Sequence, residues 1–193
     1  MIFLVLGPQG SGKTTQAKLL SKKFNLDHFS TGNALREVLK DKKHPLYNRV
    51  YKSYVKGDLV DDSIVNSLLH KALLNCSNGL VIDGTPRKMS QLKEIDSTLK
   101  QLHKKLDLVF FIDTSIEESK KRILKRSQIE HRPDDTPESV NHRLALYHKN
   151  IGPILAEYSK RGILVKVDGN RSIEEIHKDM VNIVEKSVLG NDN

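Results

Sequence analysis

Residues 7–14 read Gly-Pro-Gln-Gly-Ser-Gly-Lys-Thr and match the pattern G-x-x-x-x-G-K-[ST] at every fixed position. The apolar run Ile-Phe-Leu-Val-Leu at 2–6 precedes them, and Ala17, Leu20 and Phe24 follow at helical spacing. Glycines allow a tight turn whose backbone N–H groups point inward, and a helix N-terminus adds partial positive charge. The stretch predicts a strand, loop and helix that bind a nucleoside triphosphate, with Lys13 on its β- and γ-phosphates.

On both sides of this loop, short apolar runs alternate with longer helical patterns. Runs with the β-rich character of a buried strand lie at 2–6, 27–30, 80–82, 108–112 and 163–167. Apolar residues recur at helical spacing over 14–24, 61–74, 90–102, 137–160 and 172–188. This alternation predicts an α/β fold of the P-loop NTPase type, with a parallel β-sheet of about five strands flanked by helices.

Two stretches interrupt the alternation. Residues 31–60 keep a helical pattern with no evident strand, which predicts an inserted helical lobe at 30–60. Residues 126–136 are polar and charged and contain Pro133, which predicts a short loop. The chain of 193 residues suits one domain that carries both insertions.

The composition excludes several classes of protein. A single cysteine, Cys76, allows neither an internal disulfide nor a zinc site built from cysteines. No run of about 18 apolar residues is present, so we expect no membrane span. Residues 1–6 lack the charged leader of a signal peptide, and we expect a cytoplasmic protein.

The net charge of +8 allows two interpretations, a nucleic-acid surface or a cleft that holds several phosphates. The basic residues are scattered, and no aromatic residues are interleaved with them for base stacking. We therefore expect no nucleic-acid partner. No coiled-coil pattern or exposed apolar stripe argues for assembly, so a monomer is expected.

A second motif, Val-Ile-Asp-Gly-Thr-Pro-Arg, occupies 81–87. The carboxylate of Asp83, at the end of a strand beside the P-loop strand, can hold Mg²⁺ through water. Together with Thr31-Gly32, Arg36 and Gly-Asp-Leu-Val at 57–60, this constellation resembles the nucleoside monophosphate kinases, and among them the adenylate kinase family. The resemblance covers nearly the whole chain and implies a single kinase domain over 1–193, with 30–60 as the lobe that binds the monophosphate and 126–136 as a short lid.

The resemblance implies a reversible reaction in which ATP and AMP give two ADP, with Mg²⁺ as cofactor. Residues implied for ATP are Gly10, Ser11, Gly12, Lys13, Thr14, Thr15, Arg122, Arg126 and Arg171. Residues implied for AMP are Thr31, Arg36, Asp58, Leu59, Val60, Gly84, Arg87, Gln91, Arg132 and Arg143. The cations implied in catalysis are Lys13, Arg87, Arg122, Arg126, Arg132 and Arg143. The metal is expected near Asp83 and either Thr14 or Thr15.

The predicted lid is similar to the short form of the family. Arg132, Asp134 and Asp135 match its R-x-D-D motif, and Arg143 follows at the family's spacing. About ten residues leave no room for the zinc-bearing insertion of other members, so the resemblance implies no zinc.

Four positions depart from the family's pattern. Asn33 stands where the family has Asp, Thr85 where it has Phe, Thr14 where it has Gly, and Lys88 where it often has Thr. Because these residues lie beside the implied acceptor and metal, two alternatives stay open. One is a UMP/CMP or other nucleoside monophosphate kinase, and the other is a nucleotide-binding module with little catalysis.

The histidines and tyrosines are expected to be structural. The eight histidines, His28 among them, show no metal-binding spacing, which favours surface or packing positions. Tyr47, Tyr51 and Tyr54 follow one another at roughly helical spacing and are expected to pack within the lobe.

Overall fold

A computed structural model describes residues 1–130 and 136–190, and its centre is a parallel sheet. The strands are β1 (Ile2–Leu6), β2 (Asp27–Ser30), β3 (Leu80–Asp83), β4 (Leu108–Asp113) and β5 (Leu164–Asp168). Their order in the sheet is β2-β3-β1-β4-β5, and every neighbouring pair is parallel. The predicted α/β class and the parallel sheet of about five strands are confirmed.

Eight α-helices accompany these strands in the described residues. They are α1 (Lys13–Phe24), α2 (Thr31–Lys40), α3 (Tyr47–Lys56), α4 (Asp62–Asn75), α5 (Met89–Gln101), α6 (Ile116–Glu130), α7 (Pro137–Lys160) and α8 (Ile173–Val184). A π-helical turn over Glu185–Leu189 continues α8. None of the helices within 1–130 and 136–190 combines the length and apolarity needed to cross a bilayer.

Strand β1 lies in the middle of the sheet, which explains why its residues are apolar without interruption. Leu4 belongs to an apolar cluster on one face, where α4, α5 and α7 pack. Phe3 and Val5 belong to the cluster on the other face, where α1 and α8 pack. All three residues are completely buried because helices cover both faces.

The inserted lobe has an apolar cluster of its own. Its members come from α2, α3, the segment between α3 and α4, and the start of α4, and are Leu35, Val38, Val50, Tyr54, Val60, Ile64 and Val65. Of the three tyrosines expected to pack in the lobe, Tyr54 does so, whereas Tyr51 stacks on Tyr47 and is 49% exposed. This cluster is distinct from the two clusters on the faces of the sheet.

The predicted loop at 126–136 starts later than its composition suggested. Helix α6 continues through Glu130, so Arg126 lies within a helix and not in a loop. Residues 131–135, which include Arg132, Asp134 and Asp135, lie outside the described part of the chain. Helix α7 then begins as its sequence predicted, with Pro137 in the first turn and the Thr136 hydroxyl accepting from the Ser139 amide at 3.3 Å.

Candidate active site

The glycine-rich loop lies between the carboxyl end of β1 and the N-terminus of α1. Gly10 and Gly12 have φ angles of 85° and 86°, which favour glycine. A Cβ at Gly10 would also collide with the carbonyl oxygen of Ser119 in α6. The two glycines therefore let the loop turn tightly beneath α6 and direct its amides toward the start of α1, where an anion is favoured.

Lys13, the first residue of α1, lies among other cations. Its ammonium donates to the carbonyl oxygen of Pro8 at 3.2 Å. Burial lowers the pKa of Lys13 to about 8, with Asp83 opposing this effect and Arg87, Arg126 and Arg143 adding to it. So much positive charge in one cleft is costly in the absence of an anion, and a polyphosphate would relieve that cost.

The carboxylate of Asp83 is buried at the end of β3, beside the P-loop. Its Oδ1 accepts from the hydroxyls of Thr14 and Ser30, each at 3.2 Å. Its Oδ2 lies 2.9 Å from Nε2 of His28. Thr14 therefore faces the carboxylate, whereas Thr15 is exposed.

His28 has a partner that its expected surface or packing position did not specify. Its side chain is 15% exposed, and it is a direct partner of the carboxylate expected near the metal. The sequence signal was its place in β2, two residues before Ser30, but its significance depends on β2 pairing with β3. That pairing joins residues more than fifty positions apart and is not encoded in local spacing.

A first cavity brings together all nine described residues that the resemblance assigned to the acceptor. They are Thr31, Arg36, Asp58, Leu59, Val60, Gly84, Arg87, Gln91 and Arg143. The tenth, Arg132, lies outside the described residues. Lys13, Thr14, Asp83 and Arg126 line the same cavity. Tyr147, whose pKa is raised chiefly by burial, lines it too, although sequence reasoning did not select it.

The arginines of the acceptor cavity are held by neighbouring groups. Arg87 donates from Nε to the carbonyl oxygen of Gly84 at 2.8 Å. Arg36 donates to the side-chain oxygen of Asn33 and also contacts the hydroxyl of Tyr54 at 3.5 Å. Asn33, one of the departures from the family's pattern, thus orients a cation that lines the cleft.

A second cavity brings together the residues assigned to the donor. It is lined by Gly10, Ser11, Gly12, Lys13, Thr14, Thr15, Arg122, Arg126 and Arg171. Arg122 donates to the Ser11 carbonyl oxygen at 3.4 Å and, through Nε, to Glu118 at 2.8 Å. Arg171 is paired with Asp179 at 2.7 Å.

Sequence reasoning missed several residues of the donor cavity. Gln16 and Ile173 line it, and Nε2 of Gln16 donates to the Ile173 carbonyl oxygen at 2.8 Å. The N-terminus of α8 therefore contributes to the cavity, with the Ser172 hydroxyl and Glu175 forming reciprocal capping hydrogen bonds. A capping box can be recognised in the sequence, but its position beside the P-loop cannot.

The two cavities meet at Lys13, Thr14 and Arg126, which line both of them. Phosphate groups in the two cavities would therefore lie close to each other at this cationic junction. Cations with fixed positions at such a junction offset the repulsion between two anions without a reorganisation cost at the moment of reaction.

Comparisons with known proteins identify the family of the chain. The family model described as "Adenylate kinase" matches residues 5–163. The chain belongs to the adenylate kinase family. A relative named adenylate kinase from Xanthomonas campestris pv. campestris (strain B100) is 38% identical over 180 residues, which are 92% of this chain and 96% of the relative.

Two further relatives with the same name come from other lineages. That from Bifidobacterium longum (strain NCC 2705) is 38% identical over 188 residues, covering 96% of this chain and 100% of the relative. The relative from Archaeoglobus fulgidus is 34% identical over 216 residues, covering 96% of this chain and 99% of the relative. This adenylate kinase family member thus aligns with its relatives over nearly their whole length and is a nucleoside monophosphate kinase.

The site of this adenylate kinase family member has the oxygen ligands that Mg²⁺ prefers. The described residues contain no group of three or more His, Cys, Asp and Glu side chains suited to hold a metal by themselves. The buried Asp83 carboxylate and the Thr14 hydroxyl nevertheless lie beside the P-loop, within the first cavity. Because Mg²⁺ usually binds one or two carboxylates together with water and phosphates, the residues present fit this ion.

Proposed function

We propose that this protein transfers the terminal phosphoryl group of ATP to AMP, reversibly, to give two ADP. The observation that carries the proposal is the junction of two cavities at Lys13, Thr14 and Arg126. One cavity contains the P-loop, and the other contains Arg36, Arg87 and Arg143. A monomer suffices for this arrangement, because one chain supplies both cavities.

The donor phosphates are held by the loop amides and by Lys13. The triphosphate of ATP lies along residues 10–15, and Arg122 and Arg126 contact the phosphoryl group that is transferred. An oxygen of the AMP phosphate attacks the γ-phosphorus, and the bond from that phosphorus to the β–γ bridging oxygen breaks. Asp83 and Thr14 would hold Mg²⁺ at the end of β3, where the ion would neutralise charge on the β- and γ-phosphates.

The acceptor is held by Arg36, Arg87 and Arg143, which line its cavity. Guanidinium groups suit this role because their fork meets a phosphate with two hydrogen bonds. Arg132, from the lid motif, is proposed to join them. No covalent intermediate with the protein is needed, so the acceleration comes from alignment and from the spread of charge over several cations.

Movement of two segments completes the proposed site. The lobe at 30–60, with its separate apolar cluster, closes over AMP. The lid that the resemblance implies at 126–136, of which 131–135 lie outside the described residues, is proposed to close over the phosphates of ATP. Closure excludes water, which would otherwise accept the phosphoryl group.

The test is a coupled steady-state assay with MgATP and four acceptors, AMP, CMP, UMP and GMP. We expect the highest kcat/KM with AMP. Lys13→Ala should lower kcat at least a hundredfold, whereas Lys22→Ala, at an exposed position of the same helix, should leave it unchanged. Tenfold faster turnover of CMP or UMP would reassign the acceptor, and no AMP-dependent consumption of ATP would leave only a nucleotide-binding module.

A further inference from the structure

The side-chain amide of Gln91, in α5, has an orientation fixed by two groups that cannot exchange roles. Its Oε1 accepts from the backbone N–H of Arg87 at 2.7 Å. Its Nε2 donates to Oδ1 of Asp62 at 2.8 Å. A rotation of the amide by half a turn would place N–H against N–H and oxygen against carboxylate, so only the observed orientation is stable.

Thr85 provides the second hydrogen bond to the side-chain oxygen of Gln91. Its hydroxyl donates to Oε1 at 3.3 Å, and Thr85 and Gln91 are only 1% and 2% exposed. Both lone pairs of Oε1 are thus used within the protein. Nε2 carries a second hydrogen, and Gln91 lines the acceptor cavity, so the amide presents a donor to a ligand there.

Asp62, the first residue of α4, is itself held in place. Its Oδ2 accepts from the Ser90 hydroxyl at 2.8 Å, and Lys88 lies 3.2 Å from Oδ1. Burial alone would raise the pKa of Asp62, but hydrogen bonds from Ser90, Gln91 and Lys88 together hold it below its ordinary value. The group is therefore an ionised acceptor at neutral pH and cannot donate to the amide.

The family resemblance already assigns Gln91 to the acceptor nucleotide; we propose that Asp62 and Thr85 are positioning residues that hold its amide as a hydrogen-bond donor, so that the site favours bases with an acceptor nitrogen on the ring edge. This inference rests on the proposed function, because it concerns the same acceptor cavity. Adenine presents N1 and cytosine presents N3 as acceptors. Guanine N1 and uracil N3 carry hydrogen and would oppose a donor with a donor.

The first experiment replaces the ring nitrogen in the substrate. AMP is compared with 1-deaza-AMP, in which a C–H group replaces N1. We expect kcat/KM to fall about tenfold with 1-deaza-AMP, mainly through KM, because one buried donor loses its partner. Equal kcat/KM for the two acceptors would overturn the donor role of Gln91.

The second experiment removes the anchor. Asp62→Ala should raise KM for AMP about tenfold while kcat and KM for ATP stay within threefold, and Asp62→Asn should restore KM because an amide oxygen can accept from Nε2. With 1-deaza-AMP, Asp62→Ala should add less than a twofold loss, since the hydrogen bond that Asp62 positions is already absent. A residue with a merely structural role would lower activity equally with both acceptors, and that result would overturn the proposal.

Asp61→Ala is the matched control for loss of an acidic residue at the same helix start. Asp61 caps α4 and pairs with Arg49 at 2.7 Å on the surface, so its removal weakens the helix without touching Gln91. KM for AMP should stay within twofold in this variant. A tenfold rise in KM would show that weakening of α4 alone accounts for the effect at Asp62, which would contradict its positioning role.

A third experiment changes the side chain at position 91 from a hydrogen-bond donor to an acceptor. The double variant Gln91→Glu with Asp62→Asn keeps the volumes and the internal hydrogen bonds but presents an acceptor to the base. The ratio of kcat/KM for AMP to that for GMP should fall at least fiftyfold, and an unchanged ratio would overturn the proposal. If the unmutated protein fails to use AMP at all, the proposed function itself fails, an outcome distinct from every result above.

Discussion

His28 on β2 and Asp83 at the end of β3 are joined by a hydrogen bond of 2.9 Å between Nε2 and Oδ2. The Asp83 side chain is 2% exposed, and its other oxygen accepts from the Thr14 and Ser30 hydroxyls. Each carboxylate oxygen therefore has a partner, as a buried charge requires. His28 fixes the carboxylate from the side opposite the P-loop helix.

Removal of that partner should destabilise the fold. His28→Leu leaves Oδ2 of a buried carboxylate without its hydrogen bond, which costs about 1–3 kcal/mol of unfolding free energy. Urea unfolding of the ligand-free protein measures this cost. His28→Gln, which keeps an amide donor near the same place, is the control and should lose less than half as much. Equal midpoints for the leucine variant and the unmutated protein would contradict the account of this pair.

Thr14 and Thr15 should differ in their effect on the magnesium requirement. Thr14 contacts Asp83 at 3.2 Å, whereas Thr15 is exposed and lines only the donor cavity. Thr14→Val should raise the Mg²⁺ concentration for half-maximal velocity at least tenfold, and Thr15→Val less than threefold. Velocity measured against Mg²⁺ at fixed ATP checks both. A larger effect at Thr15 would reassign the metal-facing hydroxyl.

The position of Lys13 should be unfavourable to stability in the absence of nucleotide. Its pKa falls from 10.5 to about 8, chiefly through burial, so the fold disfavours its charged form. Between those values the unfolded chain binds more protons than the folded one, and stability therefore rises with pH across this window.

Lys13→Met should accordingly stabilise the ligand-free protein at pH 7 while it abolishes turnover. The gain should reach up to about 2 kcal/mol once the lost hydrogen bond to Pro8 is subtracted, and it should shrink as pH rises above 8. Urea unfolding at pH 7 and 9.5 measures both values. A variant that is less stable than the unmutated protein at pH 7 would refute the cost assigned to this charge.

Substitution of Arg36 should affect KM for AMP, and substitution of Arg171 should affect KM for ATP. Arg36 lines only the acceptor cavity, and Arg36→Ala should raise KM for AMP at least tenfold with KM for ATP within threefold. Arg171 lines only the donor cavity and is bound to Asp179, so Arg171→Ala should raise KM for ATP about two- to fivefold. Full initial-velocity patterns for the two variants serve as mutual controls, and identical effects on both substrates would contradict the assignment of the cavities.

Much of the fold could be predicted because its signals are local. The P-loop motif specifies β1, the loop and α1 within 24 residues, and the caps of α7 and α8 are formed by residues close in sequence. The extent of α6 was missed because its polar sequence, with few apolar residues facing the core, has the composition of a loop. The spacing of apolar residues does not reveal a helix in which most residues face the solvent.

Only the residues of the candidate site that lie within sequence motifs could be predicted. Lys13, Asp83 and Arg87 lie in recognisable patterns, and the structure places them in one cleft. His28 and Asp62 were missed because their meaning depends on contacts with residues 55 and 29 positions away. Which side chain meets which across such separations is decided by strand pairing and helix packing, not by local sequence.

Two nucleotides should lie end to end across the junction at Lys13. A crystal structure with a bisubstrate mimic, two adenosines bridged by five phosphates, would show whether they do. We expect one adenosine beside Thr31 and Gln91, the other beside Ile173, and the phosphates along Lys13 and the arginines. A ligand confined to one cavity, or bound elsewhere, would contradict it.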